Sequence, residues 1–474
     1  MASTKTLNAT NLAALGAGRL ADLLLEISAG DAGARRRLRL ELVGTAGSSE
    51  VVRAVRKRLA TIARSRSFIG WDKIKAFAAD LEAQHRAIIN KVGGDDPAEA
   101  LELLWRFLAI ADSVLARCDD GNGRIVSVFR VAVRDLGPLA EAGGAKPIVL
   151  ADRAFDALCD SEYGQCDGII EVLAPALGRA GLEHLRGRFS AWRNEVPPVP
   201  AENDRKVLGW GVQGPIYADQ GALRYRNITA QVALEQIADA LEDVDGFIAQ
   251  QSDRARTMPA VATAIGQRLL AARRAREALI AIDEADRSRW LPPEWEQCRI
   301  DALDALGRGS EAQAFRWECF LRTLNADHLR AHLRKLPDFD DIDAEERALD
   351  HAIRYPSVHQ ALTFFIAWPD LRRAGRLVID RASELDGNLY EVLAPAADVL
   401  EPTSPLAAVI LRRAMIDFTL VNARATRYRH AARHLAECAS LAARIDDYGA
   451  VADHEAYVHH LKSRHGGNLG FWQN

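Results

Sequence analysis

A chain of 474 residues that is 49% hydrophobic and 27% charged, with a formal net charge of -4, has ample material for a buried core and too little imbalance for global disorder. Its six cysteines, at 118, 159, 166, 298, 319 and 438, spell neither C-x-x-C nor C-x-C, which excludes a recognisable zinc knuckle or redox dithiol. No apolar run reaches the roughly 18 residues a membrane span needs, so none is expected.

Near the N-terminus, Lys5, Arg19, Asp22 and Glu26 interrupt the apolar positions. No secretory signal is read, and a cytoplasmic location is expected. After the capping candidates Asn8, Thr10 and Asn11, residues Leu12, Leu15, Leu20, Leu23, Leu24 and Ile27 recur at helical steps. The segment 35–75 is strongly basic: twelve Lys and Arg face three acids, a net +9 that leaves -13 for the remainder. At about 100° per residue, Val52, Val55, Leu59 and Ile62 share one helix face. Arg53, Arg56, Lys57 and Arg64 fall on the opposite face, and Arg66 follows. These five are the candidate anion- or partner-binding residues, able to neutralise phosphates or meet an acidic partner or anionic lipid. Phe68 and Trp71 follow closely and can stack on bases. The plainer alternative is a solvated arginine-rich face beside core aromatics. It gains weight because only nine of the 61 Lys and Arg are Lys.

Turn signals at 93–97, 119–123 and 143–144 fit helix–helix connections. Cys159 or Cys166 with His184 is the only hint of a thiol nucleophile, and incidental cysteine is the commoner reading. The stretch E-V-L-A-P-A occurs at 171–176 and again at 391–396, each after an Asp-Gly pair. Its glutamate suits a first helical turn, Asp167 or Asp386 suits an N-cap, and Pro175 or Pro395 should bend or end the helix. It is read as a recurring structural unit, not a catalytic motif. Between 196 and 227, prolines and glycines predict an irregular connection with no regular element. Beyond it, apolar helices alternate with short basic or glycine-containing turns followed by Glu-Ala, within 260–286 and 295–324. This pattern predicts paired helices of the tetratricopeptide kind, with degenerate spacing. A last pair is expected over about 427–446 and 448–465. Asp343 and Glu346 read as a capping box. The acidic run 338–343 lacks the glycine and closing glutamate of a calcium loop. His430/His434 and His328/His332 have helical i, i+4 spacing but lack the glutamate of H-E-x-x-H, so no metal is expected. Phosphate-binding, dinucleotide-binding and nucleophile-elbow motifs are missing.

The runs R-I-D-A-L-D-A-L-G-R-G-S-E-A-Q-A-F-R-W-E-C-F, H-L-R-A-H-L-R-K-L-P-D-F-D-D and R-Y-R-H-A-A-R-H-L-A-E-C, with the ending H-E-A-Y-V-H-H-L-K-S-R-H-G-G-N-L-G-F-W, resemble an uncharacterised all-helical bacterial family of unknown function. Similar helical segments accompany SWIM-type zinc fingers, but the C-x-C…C-x-H pattern of such a finger is missing here. The resemblance therefore implies an all-helical fold and supplies no zinc role, nucleic-acid role or catalytic residue.

The expectation is an all-α chain. It has an N-terminal helical region over 1–195, an irregular connection over 196–227, and a tetratricopeptide-like α-solenoid over 228–474. The function expected first is a non-enzymatic scaffold for a protein or peptide partner, since stacked hairpins make a concave surface. The alternatives are nucleic-acid association through 35–75 and an enzyme without a recognisable motif. No cofactor is expected.

Overall fold

The computed structural model describes residues 6–44, 47–195, 200–201, 205–212 and 214–473. Among the described residues the chain is all-α apart from one small hairpin, and it divides into two compact units, Met1–Asp253 and Arg254–Asn474. No helix among the described residues is long and apolar enough to cross a membrane.

In the first unit, α1 (Ala9–Ala13) starts at Asn8, whose side chain accepts from the Asn11 amide. The leucine periodicity does not make one helix. Gly16, at φ 80°, breaks it before α2 (Ala17–Ser28), and Leu24, Leu25 and Ile27 remain exposed. After α3 (Ala32–Gly44), α4 (Ser48–Arg64) buries Val51, Val55, Leu59 and Ile62. The expected stripe is present, except that Val51 rather than Val52 turns fully inward. Then α5 (Trp71–Ala87) passes into a single π-helical turn at Ile88–Val92. The unit continues through α6 (Pro97–Leu108), α7 (Ala111–Leu115), α8 (Arg124–Arg134), α9 (Leu136–Ala142), α10 (Pro147–Cys159) and α11 (Ile169–Asn194). The three expected turns lie between these helices. At one of them Asp96 caps α6 and Pro97 opens it, where the missing N–H costs nothing.

One apolar core joins α3 to α11, with Phe107, Phe129 and Phe189 among its fully buried members. Helices α9 and α11 approach so closely that a Cβ at Gly137 would lie 2.3 Å from the Val172 carbonyl oxygen. The stretch 196–227 differs from expectation. Its Pro197 and Pro198 lie outside the described residues, but β1 (Val207–Gly211) pairs antiparallel with β2 (Gly214–Tyr217). The glycines that argued against a strand let this short hairpin turn. Helix α12 (Ala218–Ala240) starts within the same stretch and adds Ala230, Ala233, Leu234 and Ile237 to the first unit's core. After it come α13 (Val244–Ala249) and the short α14 (Asp253–Arg256).

The second unit runs through α15 (Pro259–Ala271), α16 (Ala275–Asp283), α17 (Pro293–Ala305), α18 (Gly309–Thr323), α19 (Ala326–Leu333), α20 (Asp340–Ile353), α21 (Val358–Ala367) and α22 (Leu371–Asp380). It ends with α23 (Tyr390–Leu400), α24 (Pro405–Val421), α25 (Tyr428–Ala442), α26 (His454–His465) and α27 (Leu469–Trp472). Consecutive helices pack against each other, notably α15 on α16, α17 on α18, and α24 on α25. Their turns share one chemistry. After α15, Arg273 adopts φ 60° and the Arg274 amide donates to the Leu269 carbonyl at 2.8 Å. After α17, Gly307 adopts φ 71° and the Arg308 amide donates to Leu303 at 2.9 Å. The same six-residue closure follows α12 at Glu242 and α24 at Ala423. It satisfies carbonyls that a helix end otherwise leaves orphaned. Arg274 then grips Glu277, and Arg308 grips Glu311, each with two hydrogen bonds of 2.6–2.7 Å. This is the basic-turn-then-Glu-Ala signature seen in the sequence.

Two local expectations need correction. Helix α20 begins at Asp340, so Asp343 and Glu346 lie inside it and form no capping box, and Glu346 instead pairs with Arg373. The Asp-Gly pairs before E-V-L-A-P-A are turn residues rather than aspartate caps: Gly168 is the N-cap of α11, and Leu389 that of α23. Both copies are nonetheless helical, with glutamate in the first turn and Leu173 or Leu393 fully buried. In α11 the break falls at Gly178 (φ 53°, ψ -175°), three residues past Pro175.

Candidate nucleic-acid interface

The buried stripe of α4 fixes which way its cations point. Arg53, Arg56, Lys57 and Arg64 are all exposed, as is Arg66 just beyond the helix. They are not equivalent. Arg53 donates to Glu50 on its own helix at 3.2 Å, and Arg56 reaches across to Glu99 on α6. Lys57, Arg64 and Arg66 have no ion-pair partner among the described residues. Arg58 belongs to a different structure. Its Nε donates at 3.0 Å to the buried carboxylate of Asp80 on α5, which also faces Arg36.

The loop from Ser65 to Gly70 decides what the aromatic residues do. Ile69 is 9% exposed and pairs through its backbone with the segment after α7. Its amide donates to the Arg117 carbonyl at 2.9 Å, and the Asp119 amide donates back to it at 3.0 Å. The Arg117 guanidinium also donates to the Ser67 and Ile62 carbonyls at 2.9 and 3.1 Å. With the loop clamped from below, its neighbours have nowhere to bury. Phe68 is 67% exposed and Trp71 81% exposed. They are not core aromatics. Lys73 and Lys75 lie beyond Trp71, exposed and without an ion-pair partner among the described residues. A helix face of cations thus leads into a hydrogen-bonded loop that displays the Phe68 ring, and then into the start of α5, which displays Trp71, Lys73 and Lys75. Cations neutralise phosphates in general, and exposed aromatic faces suit stacking with flat groups such as bases.

The other sequence candidates are dispersed. His184 Nε2 faces Asp152 at 2.8 Å rather than a cysteine. Burial pushes the thiols of Cys159 and Cys166 up to about 12, which leaves them protonated and poor nucleophiles. His434 is buried with Nδ1 2.9 Å from Glu437, whereas His430 is exposed, so the i, i+4 pair does not act together. A cleft of about 410 Å³ in the first unit brings Glu102, Trp105, Asp112, Arg153 and Gln165 together. Arg153 grips Glu102, and Gln165 donates to Asp112 at 2.7 Å. Burial raises the Asp112 carboxyl despite that hydrogen bond. The Trp105 indole N–H has no hydrogen-bond partner among the described residues.

Sequence reading missed Arg117 as the clamp of the loop, because its contacts lie 50 and 55 positions away. It also missed that Glu296 and Cys319 converge on His328. No local pattern could have found either. The family model described as a family of unknown function (DUF6880) matches residues 2–474, and the chain belongs to that family. No curated protein matches it.

Proposed function

We propose that this member of a family of unknown function binds single-stranded nucleic acid along the face formed by α4, the loop 65–70 and the start of α5. The observation that carries the reading is the pair of outward-facing rings, Phe68 and Trp71, among Lys57, Arg64, Arg66, Lys73 and Lys75, cations without an ion-pair partner among the described residues. A merely solvated basic helix has no use for two exposed rings, one on the loop that follows it and one at the start of the next helix. Bases stacked on such rings contribute about 1–3 kcal/mol each. The test is fluorescence anisotropy with labelled oligothymidylate and oligouridylate. Phe68→Ala and Trp71→Ala should each weaken binding by about tenfold, with duplex DNA of equal charge bound less tightly. No binding at low salt, or equal affinity in the double variant, refutes the reading.

A second reading has its own support. In the second unit, the repeated left-handed turn and the antiparallel pairs α15/α16 and α17/α18 favour a tetratricopeptide-like solenoid that holds a protein or peptide. Recovery of a protein partner that persists after nuclease treatment supports this reading. Loss of all partners with nuclease favours the first.

A further inference from the structure

We infer that Glu296, Cys319 and His328 form a binding site for a single borderline-soft divalent cation of the zinc class. Three successive helices of the second unit supply the donors: α17 gives the carboxylate, α18 the thiol and α19 the imidazole. All three residues are buried, and their donor atoms lie within 4.8 Å of one another. Zinc bonds of about 2.0–2.3 Å place tetrahedral donors roughly 3.3–3.8 Å apart, so the hydrogen-bonded Glu296 and His328 donors, 2.9 Å apart, part slightly and any wider pair closes by up to about an ångström. The donor set selects the metal class. Magnesium and calcium want oxygen donors alone, whereas sulfur, nitrogen and oxygen together suit zinc.

The surrounding hydrogen bonds fit this use. Glu296 Oε2 lies 2.9 Å from His328 Nε2, while Oε1 is held by the Arg322 guanidinium. One carboxylate oxygen therefore points at the shared donor centre, and the other already has the outer partner that metal-bound carboxylates use. Arg322 is half-exposed, so it can move towards solvent if its charge opposes the ion. On binding, the Cys319 thiol loses its proton to solvent and the His328 proton moves to Nδ1. Carboxylate and thiolate then balance the dication. An ion-pair network alone accounts for Glu296, His328 and Arg322. It leaves Cys319 as a fully buried core thiol, clustered with Ile282, Trp295 and Phe315, with Sγ 3.9 Å from the Arg322 guanidinium. The cation accounts for all three donors at one point.

The test uses the full chain purified without chelator. Metal analysis should find zinc near one equivalent per chain. After the zinc is stripped, cobalt(II) alone should produce a thiolate-to-cobalt charge-transfer band in the near ultraviolet. Cys319→Ser should abolish the band, and Cys159→Ser should leave it unchanged. If the wild-type chain contains no stoichiometric metal and gives no band, the site is an ion pair beside a core cysteine and the inference falls. A band that persists in Cys319→Ser overturns it equally. The wild-type measurements stand even if Cys319→Ser does not fold.

Discussion

If the basic face engages phosphates, its cations should differ in what they contribute. Lys57, Arg64 and Arg66 have no ion-pair partner among the described residues, whereas Arg53 and Arg56 already hold Glu50 and Glu99. A triple variant, Lys57→Ala, Arg64→Ala and Arg66→Ala, removes three direct phosphate contacts. Each contact on a single strand contributes about 0.7 to the steepness of log affinity against log salt, so the slope should flatten by about 2. Across a fourfold rise in salt, that is roughly a twentyfold smaller loss of affinity. The double variant Arg53→Ala, Arg56→Ala should flatten the slope less, because each arginine must give up a carboxylate before it meets a phosphate. Anisotropy of a labelled oligothymidylate, titrated at five salt concentrations, reads both slopes. All five side chains are exposed, so unfolding free energies should stay within about 0.5 kcal/mol of wild type. Equal slopes in the wild type and the triple variant refute the assignment. A larger change in the double variant refutes the ranking of paired against unpaired cations.

Stability measurements test the packing. Trp295 is 1% exposed and donates its indole N–H to the Ile282 carbonyl at 3.2 Å, so Trp295→Ala should cost about 3–5 kcal/mol in urea unfolding. Gly387→Ala would put a Cβ 2.0 Å from the Ala414 carbonyl oxygen and should cost about 3 kcal/mol, whereas Gly449→Ala, in open space at φ 58°, should cost about 1 kcal/mol. Asp370 caps α22 through the Arg373 amide at 2.9 Å and pairs with the Arg373 guanidinium. Burial alone would raise its pKa, but those hydrogen bonds outweigh burial and hold it below the ordinary 3.8. A carboxyl lowered in the folded state stabilises above its unfolded value and loses that contribution as pH falls through the folded one. Asp370→Ala should therefore cost about 1 kcal/mol at pH 7, and the gap should close below pH 3.8. A gap that stays constant across that range would show that the charge plays no part.

The sequence made legible what depends on near neighbours. The stripe of α4 follows from apolar spacing within a few residues, and the hairpin turns follow from Gly307 or a basic residue followed by Glu-Ala. Single-residue register was less legible: Val51 and Val52 both fit the pattern, and only packing against neighbouring helices chose between them. The capping-box letters at Asp343 and Glu346 were present, but an earlier start at Asp340 placed them inside the helix. What stayed hidden depends on distant contacts. Phe68 and Trp71 have core-like side chains, and their exposure goes with a loop held by distant partners, the Arg117 guanidinium and the backbone at 117–119. Glu296 meets His328 across 32 positions, a spacing with no local signature.

The shared helix turn has a thermodynamic consequence. Gly307 adopts the left-handed conformation freely, but Glu242, Arg273 and Ala423 adopt it against their own side chains. Such a backbone costs about 1–2 kcal/mol per residue. Glycine at these positions would remove that strain and give back about 0.4–1 kcal/mol through a looser unfolded chain. Each replacement leaves a small surplus, and the sites are far enough apart in sequence to be combined. The protein therefore holds an unspent margin of heat resistance in its connections, separate from both its core and its charged surface.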